Sequence, residues 1–238
     1  TRPSTYSLNR HWVGRGKQNR GGERQKMNAV LFTGFPGFLG RALLPNVLSA
    51  DSGLDAVCLV QPRFAGAARR VSEEIVGISP DLRGRIRLIE GDITQPELGL
   101  PNAAELTTDI RSIFHLAAAY DLSVGRDKAW SVNVEGTRNV LDLARRCPDL
   151  LRLHHVSTCY VSGRFPGLFS EDHLVEGQAF NNHYEATKHE SELIVREAMV
   201  DGLPATIYRP SIVVGDSSTG LTSKYDGPYF FIRWVLRQ

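Results

Sequence analysis

Short apolar runs alternate with longer amphipathic stretches along most of the chain. Runs at 29–33, 56–60, 86–90, 112–115, 153–157 and 205–208 are four or five residues long, and turn-forming residues bound most of them. Each is expected to be a strand. Between them, 38–49, 127–147 and 183–200 show helical spacing, with Val132, Val140, Leu141 and Ala144 on one face of the second and Ala186, Leu193, Ile194 and Ala198 on one face of the third. Such alternation predicts an α/β fold, a doubly wound parallel sheet with helices on both faces. Pro45 falls inside the first helix and should kink it or remove one hydrogen bond. At 228–238 the chain reads as an apolar helix just begun, whose Phe230, Phe231 and Trp234 need a cover.

Composition narrows this picture. A chain of 238 residues can bury roughly 70% of its unfolded surface in one core. Its 42% hydrophobic and 23% charged content is ordinary globular usage. No run approaches the roughly 18 apolar residues of a membrane span, so a soluble, cytoplasmic protein is expected. Three cysteines, Cys58, Cys147 and Cys159, are odd in number and lack ligand spacing, which argues against a disulfide framework or a metal site. The net charge of +2 is uneven: residues 1–26 hold seven Lys/Arg and one Glu, leaving 21 Lys/Arg against 25 Asp/Glu in the remainder. Residues 1–26 read as a disordered basic extension and Met27 as the natural start. No nucleic-acid partner is expected.

Candidate chemistry begins directly after the first run. Thr33-Gly34-Phe35-Pro36-Gly37-Phe38-Leu39-Gly40 places glycines 34, 37 and 40 in a G-x-x-G-x-x-G loop between a strand and a helix. That is the phosphate-binding turn of a dinucleotide (Rossmann) fold: one glycine for the turn, one for close approach to pyrophosphate, one for helix packing. After the second run stands Val60-Gln61-Pro62-Arg63, with no carboxylate to accept from the adenosine ribose. Gln61 and Arg63, with Arg69 or Arg70 nearby, suit a 2′-phosphate instead, which favours NADP(H) and leaves NAD(H) as the alternative. Asp92 and Ile93 close the third run and can meet the adenine. Ala117, Ala118 and Ala119 follow the fourth, where small side chains let the chain pass beside the cofactor. His115 reads as a satisfied strand-end histidine.

Reducing a carbonyl by hydride needs a proton donor, a partner for the developing oxyanion, and something to tune the donor. Tyr184 and Lys188 lie four apart, so they share one helix face. Lys188 is expected to lower the pKa of Tyr184 and to reach the nicotinamide ribose. Ser157 and Thr158 end the fifth run, where a hydroxyl can polarise the carbonyl. Cys159 raises the different idea of a thiol nucleophile, but nothing beside it argues for a lowered thiol pKa.

These motifs, with Asn133-Val134-Glu135-Gly136-Thr137 and Tyr208-Arg209-Pro210-Ser211-Ile212-Val213-Val214-Gly215, resemble the extended short-chain dehydrogenase/reductase superfamily across 28–215. The Phe-Leu of the loop, Ser-Thr-x-Tyr-Val and Arg-Pro-Ser-Ile-Val look most like its thioester-reductase and fatty acyl-CoA reductase (male-sterility) branch. The resemblance implies a nucleotide-binding domain over 27–238, with the start of a substrate-binding cap after about 215. It implies Thr158 as the catalytic hydroxyl with Ser157 second, Asn133 supporting the active-site water and Lys188, and Pro210, Ser211 and Ile212 beside the nicotinamide. The substrate implied is an acyl thioester, on coenzyme A or a carrier protein, reduced to aldehyde or alcohol. It also implies a homodimer through 127–147 and 183–200. Nucleotide-sugar epimerases, hydroxysteroid-type dehydrogenases and an idle dinucleotide sensor remain alternatives on the same residues.

Overall fold

The computed structural model describes residues 27–237 apart from 223 and 226, so the 1–26 extension lies outside the described residues. Six strands, β1 (Ala29–Thr33), β2 (Asp55–Val60), β3 (Ile86–Glu90), β4 (Ile110–His115), β5 (Arg152–Val156) and β6 (Ala205–Tyr208), form one sheet in the order β3-β2-β1-β4-β5-β6. Every neighbouring pair is parallel. The strand order reverses between β1 and β4, and in such sheets ligands bind beyond the strands' carboxyl ends at that point.

The helices are α1 (Phe38–Ala50), α2 (Ala65–Ile78), α3 (Ala103–Thr107), α4 (Arg126–Trp130), α5 (Gly136–Arg145), α6 (His183–Val200) and α7 (Pro228–Val235). Alternation along β1 and β2 decides which layer each strand residue joins. Val30, Phe32, Ala56, Cys58 and Val60 pack with Leu44 and Leu48 of α1 and with Ala68 and Ile75 of α2. Ala29, Leu31, Val57 and Leu59 face the other way, into a larger core with Val140, Leu141 and Ala144 of α5 and Ile194, Val195 and Ala198 of α6. Both faces of these central strands are dry, which is why they read as continuous apolar runs.

α1 runs through Pro45, which lacks the amide for one helical hydrogen bond, as expected. Two elements differ from the sequence reading. The segment expected as a single helix over 127–147 is α4, a π-helical turn at Ser131–Glu135, and α5. Wide turns of this kind gather at functional positions, and this one carries Asn133. Strand β5 ends at Val156, so Ser157 and Thr158 stand just beyond it. After β6 the chain leaves the sheet, and α7 has no buried residue: Phe231 is 75% and Trp234 64% exposed. No helix among the described residues is long and apolar enough to cross a membrane.

Leu31 is fully buried between the sheet and the larger helix layer. Leu31→Ala should lower the unfolding free energy by about 2–5 kcal/mol, read as a fall in the urea midpoint at unchanged slope.

Candidate active site

The glycine loop joins β1 to α1 at the switch point. Gly34 has φ +86°, and a Cβ there would stand 2.7 Å from the backbone of Leu116 and Ala117, so only glycine lets the loop lie against the end of β4. The Gly37 amide donates to the Gly34 carbonyl at 2.8 Å, and Gly37 caps α1 with no side chain over the helix end. The amides of the first turn therefore face the crevice without a side-chain acceptor, the arrangement that receives a phosphate. Phe35 is buried, Gly40 packs on the Gly34 carbonyl, and Pro36, Phe38 and Leu39 are half-buried along the loop. Ala117 is held to β1 by its amide, which donates to the Thr33 hydroxyl at 3.2 Å.

At the adenosine end the side chains form a relay. Arg63 Nε donates to Gln61 Oε1 at 2.8 Å, and Gln61 Nε2 donates to Asp92 Oδ2 at 2.8 Å. The Asp92 Oδ1 atom receives both the amide and the hydroxyl of Thr94. The Arg63 guanidinium lies 4.7 Å from the Phe64 ring centroid, a cation–π contact that holds it at the rim. Ile93 faces inward: its side chain packs against Gly136, and its carbonyl accepts from Asn139 at 2.7 Å. Its side chain is therefore core, and Asn139 is a supporting residue that the sequence did not mark.

The chemical end is built by α6 lying across the end of β5. Asn182 caps α6 by accepting from the Glu185 amide at 2.9 Å, while the Glu185 carboxylate accepts from the Asn181 amide at 2.8 Å. This reciprocal cap fixes where the helix starts, and so where Tyr184 stands. The Thr158 side chain stands close enough to the Tyr184 phenol to act on its pKa, while its hydroxyl accepts from the Tyr160 amide at 3.2 Å. One turn on, Lys188 is buried and its Nζ donates to the Val156 carbonyl at 2.8 Å. Asn133 accepts from the Ala119 amide at 2.8 Å through Oδ1 and donates to Thr187 Oγ1 at 2.9 Å, linking the end of β4 to α6. Its amide is bonded to Ala119 and Thr187 rather than to Lys188. Beyond β6, the Pro210 carbonyl accepts from the Cys159 amide at 3.1 Å, keeping the 210–212 segment alongside Thr158.

Two expectations change here. Ser157 is turned away from Tyr184: its hydroxyl donates to the buried carboxylate of Glu192 at 2.7 Å. That leaves Thr158 as the hydroxyl beside the phenol. Second, Tyr184 is not acidified in this structure. Burial pushes its pKa up, nearby Thr158 only partly opposes this, and Cys159, Tyr160 and Glu185 add to the rise. Lys188 sits on a carbonyl instead. Burial holds its own pKa down at about 8, against the pull of Glu192.

Two histidines lie beneath this site. His115 bridges the Thr33 hydroxyl at 2.8 Å and the Thr137 hydroxyl at 3.0 Å, the satisfied strand-end histidine expected of it. Burial, then the Lys188 charge, lowers its pKa to about 3. Its neighbour across β5, His155, is fully buried with neither ring nitrogen hydrogen-bonded. Burial and the charges of Lys188 and His115 push it well below its ordinary value too.

The profile of the Male sterility protein family matches residues 32–238. The chain belongs to this family. That places it in the thioester-reductase and fatty acyl-CoA reductase branch of the extended short-chain dehydrogenase/reductase superfamily. It is 33% identical over 222 residues to an isonitrile lipopeptide synthase of Streptomyces coeruleorubidus, covering 87% of this chain and 14% of that protein. It is 28% identical to fatty acyl-CoA reductase 1 of Arabidopsis thaliana, covering 66% of this chain and 36% of that one. Among solved structures, the terminal R domain from the myxalamid PKS-NRPS biosynthetic pathway superimposes with a TM-score of 0.77 at 32% identity, covering 89% of this chain and 56% of that one. The chain thus spans little more than half of that domain and far less of the two curated relatives.

The histidines give the family's core a testable acid sensitivity. Both have folded pKa values below the unfolded value near 6.5, so the unfolded state binds more protons in acid, and stability, complete above 6.5, falls as pH drops. Each should contribute a slope of about 1.4 kcal/mol per pH unit below that point. His155→Leu removes two unpartnered buried nitrogens and one of these slopes. Urea unfolding should show the variant at least as stable as the parent at pH 8 and more stable by about 1–3 kcal/mol at pH 5.

Proposed function

We propose that this chain forms the nucleotide-binding and catalytic part of an NADP(H)-dependent reductase acting on acyl thioesters, carried on coenzyme A or a carrier protein. The observation that supports it best is the gathering of Thr158, Tyr184 and buried Lys188 at the same sheet edge as the glycine loop. Residues 27 to about 215 would bind the dinucleotide. The segment after it, including α7, would begin the substrate-binding region, with residues 1–26 as a separate extension.

The glycine loop and first turn of α1 would hold the pyrophosphate, Asp92 and the backbone at Ile93 the adenine, Arg63 the 2′-phosphate, and Ala117–Ala119 with Pro210–Ile212 the nicotinamide end. NADPH, when bound, supplies the hydride. As the thioester carbonyl takes it, Thr158 and Tyr184 donate hydrogen bonds to the oxygen that gains charge. Tyr184 then gives its proton. The raised pKa of Tyr184 suits this direction, because the donor must be protonated before the hydride arrives. Lys188, still largely charged at neutral pH, stands by to favour the phenolate that results. The tetrahedral hemithioacetal collapses with loss of the thiol, giving the aldehyde; a second hydride and proton would give the alcohol. Asn133 keeps α6 against the end of β4 throughout.

The names of the relatives, a lipopeptide synthase, a fatty acyl-CoA reductase and a terminal R domain, support the thioester class. The full protein containing this chain, mixed with NADPH and either a long-chain acyl-CoA or a carrier-bound acyl thioester, should consume NADPH and release thiol. Consumption with UDP-sugars or steroids alone would refute the proposal. Tyr184→Phe should lower kcat at least about a hundredfold while leaving the Kd for NADPH nearly intact. Arg63→Ala should raise the KM for NADPH about tenfold and leave that for NADH almost unchanged; equal losses would return Arg63 to the solvated surface.

A further inference from the structure

We propose that Glu192 and Arg209 are a positioning pair for Lys188: they lock α6 in register on the end of β5 and set the charge around its ammonium. This rests on the reading of Lys188 as part of the reductase site. The geometry is a zipper between three consecutive residues and three helical turns. Tyr184, Lys188 and Glu192 are spaced by four along α6, and they meet Thr158, Val156 and Ser157 respectively. Slipping the helix by one residue would break all three contacts together.

Glu192 is 0% exposed, and its carboxylate is surrounded by donors. The Ser157 hydroxyl lies at 2.7 Å from Oε2, Arg209 Nε at 3.1 Å from each oxygen, Arg209 Nη2 at 2.7 Å from Oε1, and Arg196 Nε at 3.2 Å from Oε1. Burial would raise the Glu192 pKa, but the hydrogen bonds of Arg209 and Ser157 and the two guanidinium charges outweigh it and keep the carboxyl ionised. Arg209, with a side chain 10% exposed, uses its other donors on the carbonyls of Ser170 at 2.9 Å and His173 at 2.6 Å, and stacks over Phe169 at 5.3 Å. It immediately precedes Pro210. One ion pair therefore joins the end of β5, the middle of α6, the end of β6 and the loop leading to Tyr184. A buried pair of this kind rarely adds stability over an apolar one of the same shape, so its presence calls for another reason.

Charge supplies it. The titratable groups that interact with Lys188 are His115 from β4, His155 from β5 and Glu192 from α6, with Arg209 after β6 and Arg196 on α6 behind the carboxylate and Tyr184 one turn earlier on α6. Both histidines are held neutral. Glu192 is the only carboxylate among these groups, and the two arginines set how much of its charge Lys188 feels. Removing the carboxylate leaves two guanidiniums near the ammonium; removing Arg209 leaves the carboxylate less compensated. The two changes must move Lys188 in opposite directions, although both break the same clamp.

In the full protein containing this chain, carbon-13 labelling at lysine Cε follows Lys188, identified by the resonance that is absent in Lys188→Met. In the parent protein its titration should centre at about 8. Glu192→Gln should lower that midpoint and Arg209→Gln should raise it, each by about half a unit to one unit, while Glu192→Asp and Arg209→Lys stay close to the parent. Arg196→Gln, at a partly exposed position, should shift it upward by less. If the two buried variants do not fold, Arg196→Gln decides alone, and an unmoved or lowered midpoint overturns the proposal. Shifts of the same sign in Glu192→Gln and Arg209→Gln, or none in either, overturn it as well. The titration needs no substrate, so it stands apart from whether the protein reduces thioesters. During turnover with NADPH, the alkaline limb of kcat should follow the same signs, and a limb that ignores a moved midpoint would remove the positioning role.

Discussion

The docking of one face of α6 onto the last residues of β5 is the contact on which the rest of the site depends. Backbone and side chain both take part: a carbonyl at Val156 receives Lys188, a hydroxyl at Ser157 meets Glu192, and Thr158 meets the Tyr184 phenol. The helix is fixed along its axis by the Asn182–Glu185 cap and sideways by Asn133, which reaches from the wide turn before α5 to Thr187. A helix held at its start, its middle and its flank has little freedom to rotate. The phenol is thereby aimed at a single point, and general acid catalysis needs that aim before it needs any particular pKa.

The sheet places that point next to the dinucleotide crevice. Because β1 and β4 are neighbours at the reversal of strand order, the glycine loop after one and the alanine segment after the other approach so closely that Gly34 could not carry a side chain. The Thr33 hydroxyl ties the two ends together, bonding both the Ala117 amide and His115. His115 and His155 then form a buried, uncharged floor below Lys188. Low polarizability around the ammonium weakens its hold on its proton, while the one carboxylate nearby strengthens it. The lysine's charge is a balance of these two effects.

Much of this was readable in advance, and the reasons are local. Strands buried on both faces must be apolar throughout, so their positions show as runs. A turn that admits backbone to within van der Waals reach needs glycine, so the loop shows as spaced glycines. Tyr184 and Lys188 share a face because helical geometry puts residues four apart together. What escaped were the features whose partners are distant in sequence. Ser157 looked like an active-site hydroxyl, but its hydroxyl donates a hydrogen bond to Glu192, 35 residues on. The Ile93 side chain gave no sign that it packs on Gly136, 43 residues on. The 127–147 segment read as a uniform helix because a π-turn widens the backbone without disturbing the spacing of apolar residues enough to announce itself.

The sequence by itself determined the layers of a doubly wound sheet, the glycine turn between β1 and α1 and the shared helix of Tyr184 and Lys188, since each follows from periodicity or from the conformational demands of single residues. Only the tertiary structure decided which hydroxyl meets the phenol, that the lysine rests on a carbonyl beside a buried carboxylate, and that the tyrosine is held protonated rather than acidified. Those outcomes depend on burial and on charges brought together from β4, β5, α6 and β6. Desolvation and Coulomb energy are set by distance in space, which the order of residues along a chain does not contain.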